Sequence, residues 1–158
     1  MKVWSHRLFA LGFCGLSCGL LAGTLVLSTL EFSFALLVAA LVSSLPDWID
    51  FHLLSGLGHR NRFTHGLPSL AFPGVLFVAT SLILGASGLG LATGLSIWCG
   101  WVTHLLLDAT THSGLPFRGR RISLHLSSYD DPLANFSACI VGALLLLVGI
   151  FLREVALG

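Results

Sequence analysis

Apolar residues occur in five long runs, separated by two long polar connections and several short ones. The runs cover approximately residues 8–30, 32–45, 67–85, 89–107 and 133–152, and the long polar connections are 46–66 and 108–132. A helix needs about 20 apolar residues to cross the ~30 Å hydrocarbon layer of a bilayer. The run at 32–45 is short, so it is expected to tilt or to extend back past Glu31. The pattern predicts an all-α fold, a polytopic membrane bundle of about five helices.

The composition agrees with a membrane protein. Of the 158 residues, 55% are hydrophobic and only 9% are charged, and the mean hydropathy of +0.92 is far above that of a soluble globular chain. Residues 1–158 are expected to form one membrane-embedded helical domain. The net charge of +1 leaves too few basic residues for a surface that follows phosphate groups, so no nucleic-acid partner is expected.

The first apolar run is interpreted as a retained helix. It is longer than the ~7–15-residue apolar core of a signal peptide, and no small-residue cleavage motif stands out. The four cysteines, Cys14, Cys18, Cys99 and Cys139, all lie inside apolar runs. They are interpreted as small packing groups, although Cys14 and Cys18 are one helical turn apart and close enough to pair or to bind a metal.

The ionisable residues fall on one side of the predicted bundle. If the five helices alternate across the bilayer, the same membrane face receives His6, Asp47, Asp50, His59, His65, His104, Asp108, His112 and His125. The opposite face receives Glu31, Arg153 and Glu154. This asymmetry predicts a functional site at one membrane interface.

The basic residues have the same asymmetry. The histidine-rich face also carries Lys2, Arg7, Arg60, Arg62, Arg118, Arg120 and Arg121, whereas only Arg153 lies opposite. By the positive-inside rule we expect this face in the cytoplasm. The expected location of the protein is the inner (cytoplasmic) membrane of a prokaryote. Arginines that bind an anionic substrate would produce the same asymmetry without reporting topology.

The sequence "THLLLDATTH", residues 103 to 112, carries the most informative pair. His104 and Asp108 are at positions i and i+4, which places both side chains on one face of a helix about 6 Å apart. An ionisable side chain within an apolar membrane segment is costly and is usually functional. The pair can hold one divalent ion, or the aspartate can bridge two, and His112 would join the same stripe if the helix continued.

Two further clusters flank this pair along the chain. "LPDWID" contributes Asp47 and Asp50 beside Pro46, which breaks or starts a helix and so places the carboxylates near a helix end. "HRNRFTH" contributes His59 and His65 in a glycine-preceded loop that can fold back over the site. Taken alone, the first cluster also fits a solvated interfacial turn and the second a basic loop at lipid headgroups.

The combined donor set favours a catalytic metal site. Histidine nitrogen together with aspartate oxygen suits zinc, manganese or iron, whereas an all-oxygen set would indicate calcium or magnesium. No cysteine belongs to the set, which argues against a closed structural zinc site. A metal in such a site can activate water near neutral pH, and the planar donors of arginine match phosphate oxygens.

The order of these motifs resembles a known family. His6, "LPDWID", "HRNRFTH" and "HLLLDATTHSGLPF" together resemble the predicted membrane-bound, metal-dependent hydrolases of the YdjM-like family, over roughly residues 6 to 117. The resemblance implies a set of candidate metal ligands, namely His6, Asp47, Asp50, His59, His65, His104 and Asp108. A more distant likeness in residue types and order, to the soluble zinc-dependent phospholipases C, suggests phosphoester chemistry.

The favoured hypothesis is therefore a membrane-bound, metal-dependent hydrolase of a phosphoester in a lipid or lipid-linked molecule. Its cofactor is one divalent ion or more, with zinc favoured. Arg60 and Arg62 would neutralise charge that develops on oxygen, and His65 and His112 are both candidates for the general acid. Two alternatives are a divalent-metal transporter or sensor, which needs polar groups near the midplane, and a structural membrane protein with a headgroup-facing polar surface.

Overall fold

The computed structural model of the chain describes residues 1–57, 60–85, 88–117 and 120–158. Its α-helices are α1 (Val3–Leu20), α2 (Thr29–Val42), α3 (Leu45–His52), α4 (Ala71–Ile83), α5 (Gly88–Thr110) and α6 (Pro132–Leu157). Two 3₁₀ turns, Ser55–Leu57 and Leu67–Leu70, lie between α3 and α4. Each predicted apolar run contains helix, so the all-α prediction is confirmed. The second polar connection also holds an antiparallel hairpin of β1 (Leu115–Phe117) and β2 (Arg120–Ile122), which was not predicted.

Three of the described helical segments are long and apolar enough to cross a membrane. They are Thr29–His52, which joins α2 and α3, then Gly88–Thr110 and Pro132–Leu157. The segment Pro68–Ile83 is a shorter apolar helix. Large apolar side chains cover the outside of the bundle: in α6, Leu147 is 63% exposed and Phe151 is 66% exposed. An apolar surface of this extent is stable in contact with lipid rather than water.

The polar residues at the helix ends explain where the helices begin. The first apolar run is divided between two helices, because α1 ends at Leu20 and α2 begins at Thr29. Ser28 caps α2, and the side chain of Glu31 accepts from the backbone N–H of Ser28. The run at 32–45 was expected either to tilt or to extend back past Glu31, and α2 does extend back past Glu31. Asp131, which precedes Pro132, caps α6 by accepting from the N–H groups of Leu133 and Ala134.

Glycines allow two close helix contacts that shape the bundle. A Cβ atom on Gly12 of α1 would collide with the carbonyl oxygen of Gly142 in α6, so these two helices pack with their backbones almost touching. A Cβ atom on Gly100 of α5 would lie 2.6 Å from the carbonyl oxygen of Ala39 in α2. The second contact brings the C-terminal half of α5 against the end of α2, where the candidate site lies.

The buried centre of the bundle contains three of the cysteines. Cys14, Cys18 and Cys99 are at most 2% exposed and pack in one apolar cluster with Ala35 and Ala39. All four cysteines of the chain are free thiols. Their surroundings agree with the interpretation of these residues as packing groups.

Candidate metal centre

Four side chains from three parts of the chain meet at one point. They are Asp47 in the first turn of α3, His65 in the turn before Leu67–Leu70, and His104 and Asp108 at the end of α5. One ligand atom from each lies within 4.8 Å of all the others. The three residues other than Asp47 are at most 1% exposed. The predicted i, i+4 pair thus points into the protein and not toward the acyl chains.

The distances within the cluster match those between ligands of one ion. The Nε2 atoms of His65 and His104 are 3.0 Å apart. Asp47 Oδ1 lies 3.2 Å from His65 Nε2 and 3.7 Å from His104 Nε2, and Asp108 Oδ2 lies 3.5 Å and 3.6 Å from the same two nitrogens. Nitrogen and oxygen ligands bind zinc at ~2.0–2.2 Å, so neighbouring ligands in a tetrahedron are roughly 3.3–3.6 Å apart.

His104 is oriented by a backbone group. Its Nδ1 atom is 2.7 Å from the carbonyl oxygen of Ser43, at the end of α2. Because a carbonyl oxygen only accepts, Nδ1 carries the proton and Nε2 presents its lone pair to the cluster. The close approach of α5 to α2 at Gly100, one turn earlier, makes this contact possible.

His65 is oriented in the same way by two acceptors. Its Nδ1 atom is 3.0 Å from Thr64 Oγ1, whose hydroxyl donates to Asp50 Oδ1, and 3.1 Å from Asp50 Oδ2. All three residues are buried. A histidine that holds one N–H against an acceptor and offers its other nitrogen to a metal is the usual arrangement in metalloproteins. Both imidazoles of the cluster therefore have the tautomer that metal binding requires.

Asp50 also fixes the loop that carries His65. Its carboxylate accepts from the N–H of Arg60 at 2.6 Å, from the side-chain amide of Asn61 at 2.6 Å, and from the hydroxyl of Thr64. Arg60 has a positive φ of 59°, which is costly for a residue with a side chain and persists only where the surroundings hold it. Asp50 lies behind the imidazole of His65, so these contacts are those of a positioning group. Its predicted role as a direct ligand stays a prediction.

Arg60 reaches the cluster from the same loop. Its Nη2 atom donates to Asp108 Oδ1 at 2.9 Å and its Nη1 atom donates to Thr111 Oγ1 at 3.0 Å, with the side chain 8% exposed. The other oxygen of Asp108, Oδ2, is buried and has no hydrogen-bond partner among the described residues. Asp108 therefore offers one oxygen to a protein cation and the other to the centre of the cluster.

His6 lies beside the cluster but outside the set of four. Its ring stacks on that of His104 with centroids 4.4 Å apart, and its Nε2 atom is 3.7 Å from Asp108 Oδ1. The residue is 1% exposed, and neither ring nitrogen has a hydrogen-bond partner in the part of the chain that is described. An unpaired buried imidazole is costly, which favours an ion or water next to it.

The remaining candidates have different surroundings. Helix α5 ends at Thr110, so His112 does not continue the His104/Asp108 stripe; it is exposed, and its Nδ1 atom contacts the carbonyl oxygen of Ser127 at 2.7 Å. Arg62 is exposed, with its guanidinium 5.0 Å from the Phe63 ring centre. His59 and Arg118 lie outside the described residues.

Several contributors were not foreseen from the sequence. Asn61 and Thr64 donate to Asp50 and hold the loop, and only their position inside "HRNRFTH" could have indicated this role from the sequence. Nothing in the sequence indicates the role of the Ser43 carbonyl group, because a residue of any type at that position offers the same backbone acceptor.

The residues present fit a divalent cation. Two imidazole nitrogens and two carboxylate oxygens converge on one point, and the buried Asp108 Oδ2 is without a donor in the described part of the chain. Carboxylate oxygens and nitrogen lone pairs at this separation repel one another, and a bound cation would remove that repulsion. The cluster can therefore hold a metal ion.

Comparison with known proteins gives one match. The family model described as YdjM inner membrane protein matches residues 1–156, which include every residue of the cluster. No curated protein and no solved structure matches the chain significantly. The likeness to zinc-dependent phospholipases C receives no support from these comparisons.

Proposed function

The chain belongs to the YdjM inner membrane protein family, and on that premise we propose that it is a membrane-bound, metal-dependent hydrolase. The proposed substrate is a phosphoester of a membrane lipid or a lipid-linked molecule. One observation carries the proposal: His65 and His104 each have Nδ1 against an acceptor and aim Nε2 at the same point as Asp47 and Asp108. This geometry supports an ion held with solvent access, because Asp47 is 32% exposed.

The residues that would hold the ion are Asp47, His65, His104 and Asp108, with His6 adjacent to Asp108. Zinc is the favoured metal for this donor set, and manganese and iron also suit it. A divalent cation bound there supplies Lewis-acid activation of water and of the phosphoryl group. The absence of a cysteine ligand from the cluster fits an open site better than a closed structural one.

The chain's own residues have distinct tasks in this proposal. Asp50 and the Ser43 carbonyl hold the two imidazoles in the required tautomer. Arg60 lies against Asp108, where its guanidinium would stabilise negative charge that develops on a phosphoryl oxygen. The side chain of Arg62 is exposed and has fewer contacts than that of Arg60. In this proposal, Arg62 takes part in catalysis only when a bound substrate orders its side chain.

The location of the cluster supports a lipid substrate. Asp47 is near the end of the span Thr29–His52 and Asp108 is near the end of the span Gly88–Thr110. The headgroup layer of a bilayer lies at such helix ends, so a phosphoester of a lipid would be at the depth of the site.

The test is hydrolysis by purified protein in lipid nanodiscs, with metal content measured on the same sample. We expect close to one bound divalent ion or more per chain, release of phosphate or of a phosphorylated headgroup from a lipid phosphoester, and loss of both after His104→Ala. Cys139→Ala, a change outside the cluster, is the matched control. A metal-free preparation with full activity, or a metal-loaded one with none on any phosphoester, would overturn the proposal.

A further inference from the structure

An apolar groove runs along the outside of the bundle to the edge of the metal centre. It lies between α1 and the α2–α3 segment, has a volume of about 700 Å³, and its apolar wall is formed by Val3, Leu41, Leu45, Trp48 and Phe51. Asp47 forms part of the same wall. This volume is within the ~300–1,000 Å³ range of small-molecule sites. We call this cavity the α1–α3 groove.

Asp47 belongs both to the wall of the groove and to the metal centre, so the groove leads to the centre. Its side chain is 32% exposed, whereas those of His65, His104 and Asp108 are at most 1% exposed. A molecule that reaches the centre from the groove would therefore meet the Asp47 side of the ion first. The other wall residues show which kind of molecule fits.

The wall of the groove suits a hydrocarbon chain. Leu41 is 56% exposed, Trp48 is 49% exposed and Phe51 is 76% exposed. Leu41 precedes Asp47 by roughly 9 Å of helix axis at ~1.5 Å per residue, so the groove extends from the polar end of the span toward the hydrocarbon layer. A lipid chain can enter it sideways from the bilayer without crossing water.

Arg7 supplies the polar end of this site. Its guanidinium lines the groove, and its Nη2 atom is 3.5 Å from Ser44 Oγ. Arg7 has no carboxylate within ion-pair distance among the described residues, so its guanidinium is available to an anion. Guanidinium groups bind phosphate oxygens with two parallel hydrogen bonds.

We propose that the α1–α3 groove binds one alkyl chain of a lipid phosphoester, with Arg7 on the phosphate and the ester at the open side of Asp47. The inference rests on the proposed hydrolase function and adds the substrate class: an anionic phosphoester with at least one long chain. The groove then provides discrimination against short, water-soluble esters.

The activity test uses two substrates with the same scissile bond, hexadecyl para-nitrophenyl phosphate and methyl para-nitrophenyl phosphate. We expect kcat/KM to favour the hexadecyl ester by at least about tenfold, since every buried methylene adds binding energy. Leu41→Trp fills the groove and should reduce this preference to less than about threefold. Leu37→Trp is the matched control, because Leu37 is also 56% exposed on α2 but does not line the groove.

The contribution of Arg7 is tested in the same assay. Arg7→Gln should raise KM for the hexadecyl ester by about tenfold and leave kcat within about twofold, because the contact is made equally in the bound substrate and the transition state. Lys2→Gln, which removes a neighbouring exposed charge that does not line the groove, should change neither constant. An Arg7→Gln protein with unchanged KM would remove Arg7 from the site.

A binding test separates failure of this inference from failure of the hydrolase proposal. Photolysis of a diazirine-bearing hexadecyl phosphate should label residues 41–51, and Leu41→Trp should abolish the label while Leu37→Trp retains it. Labelling by a metal-loaded protein that hydrolyses no phosphoester, neither these two esters nor the lipid substrates above, would overturn the hydrolase proposal and keep the groove. Equal labelling by diazirine-bearing hexadecanol, or labelling that Leu41→Trp does not change, would mean ordinary lipid contact and would overturn the groove.

Discussion

The two ends of the bundle each bury an ionisable residue, and they do so in opposite ways. At the end away from the cluster, Arg153 is 9% exposed, donates to the carbonyl oxygen of Leu27 at 3.0 Å and pairs with Glu154 at 2.6 Å. Its guanidinium also lies 5.1 Å from the ring centre of Phe32. At the other end, Asp108 and His6 are buried with three polar atoms that lack a hydrogen bond among the described residues.

The difference indicates what each end is for. Arg153 lacks a partner only at Nε and otherwise joins α6 to the connection before α2, which is a structural task that the protein completes by itself. Among the described residues, the cluster end leaves both ring nitrogens of His6 and one oxygen of Asp108 without a hydrogen bond, and a bound cation could compensate them. A buried polar group thus suggests a ligand site when the described part of the chain gives it no partner, and burial alone does not.

The largest expected effect comes from replacing the central carboxylate. Asp108→Asn keeps the shape of the side chain but removes the charge from Oδ2, so we expect bound metal to fall to near zero. Hydrolysis should fall by at least about 100-fold, more than removal of an outer positioning group causes. Elemental analysis and activity of the same nanodisc preparation measure both effects. An Asp108→Asn protein that retained stoichiometric metal would end the contrast between the two ends.

A smaller effect is expected one layer away from the ion. Asp50→Asn weakens the contact with His65 Nδ1 and the hold on the loop, while the four ligand atoms remain. We expect metal affinity to fall by about 10–100-fold, the usual result of losing such a contact. Titration of the metal-free protein with zinc measures the dissociation constant. An affinity as low as that of Asp108→Asn would instead identify Asp50 as a direct ligand.

The opposite end should respond in stability and not in metal binding. Arg153→Met leaves the Leu27 carbonyl without its donor and removes the contact with Phe32, which should cost about 1–3 kcal/mol of folding free energy. Thermal unfolding in detergent measures the loss, and elemental analysis should give the wild-type metal content. Metal loss at a temperature where the variant is still folded would contradict the division of tasks.

The parts of the site that the sequence predicted are those that depend on local geometry. His104 and Asp108 share a helix face because the helical repeat places i and i+4 together, and Pro46 starts α3 next to Asp47. The helical repeat would have added His112 only if α5 continued, and α5 ends at Thr110, where Thr111 pairs with Ser127. The proposed role of His112 as a general acid stays a prediction.

The unpredicted parts depend on contacts between distant segments. The ion pair of Arg60 with Asp108 requires the 60–65 loop to fold under Asp50, and the contact of His104 with the Ser43 carbonyl requires the close approach at Gly100. None of these follows from spacing along the chain. The same limit explains the first apolar run, where continuous hydrophobicity concealed the break between Leu20 and Thr29.

The smallest expected effect is also the one that separates an enzyme from a transporter. Glu31 is the acidic residue in the first turn of α2, at the end away from the cluster, where it bonds to Ser28 in a capping arrangement. A path that conducts a divalent metal would need an acidic group at its opening on this side of the membrane, whereas a hydrolase with a site on one side would not.

We expect Glu31→Gln to lower thermal stability less than Arg153→Met does, because the amide oxygen still accepts from Ser28. Metal content and hydrolysis should be unchanged, and proteoliposomes that contain the wild-type protein should take up no more zinc than empty liposomes. If the wild-type protein did take up zinc and Glu31→Gln did not, both ends of the bundle would belong to one conduction path, and a transporter would be the better explanation.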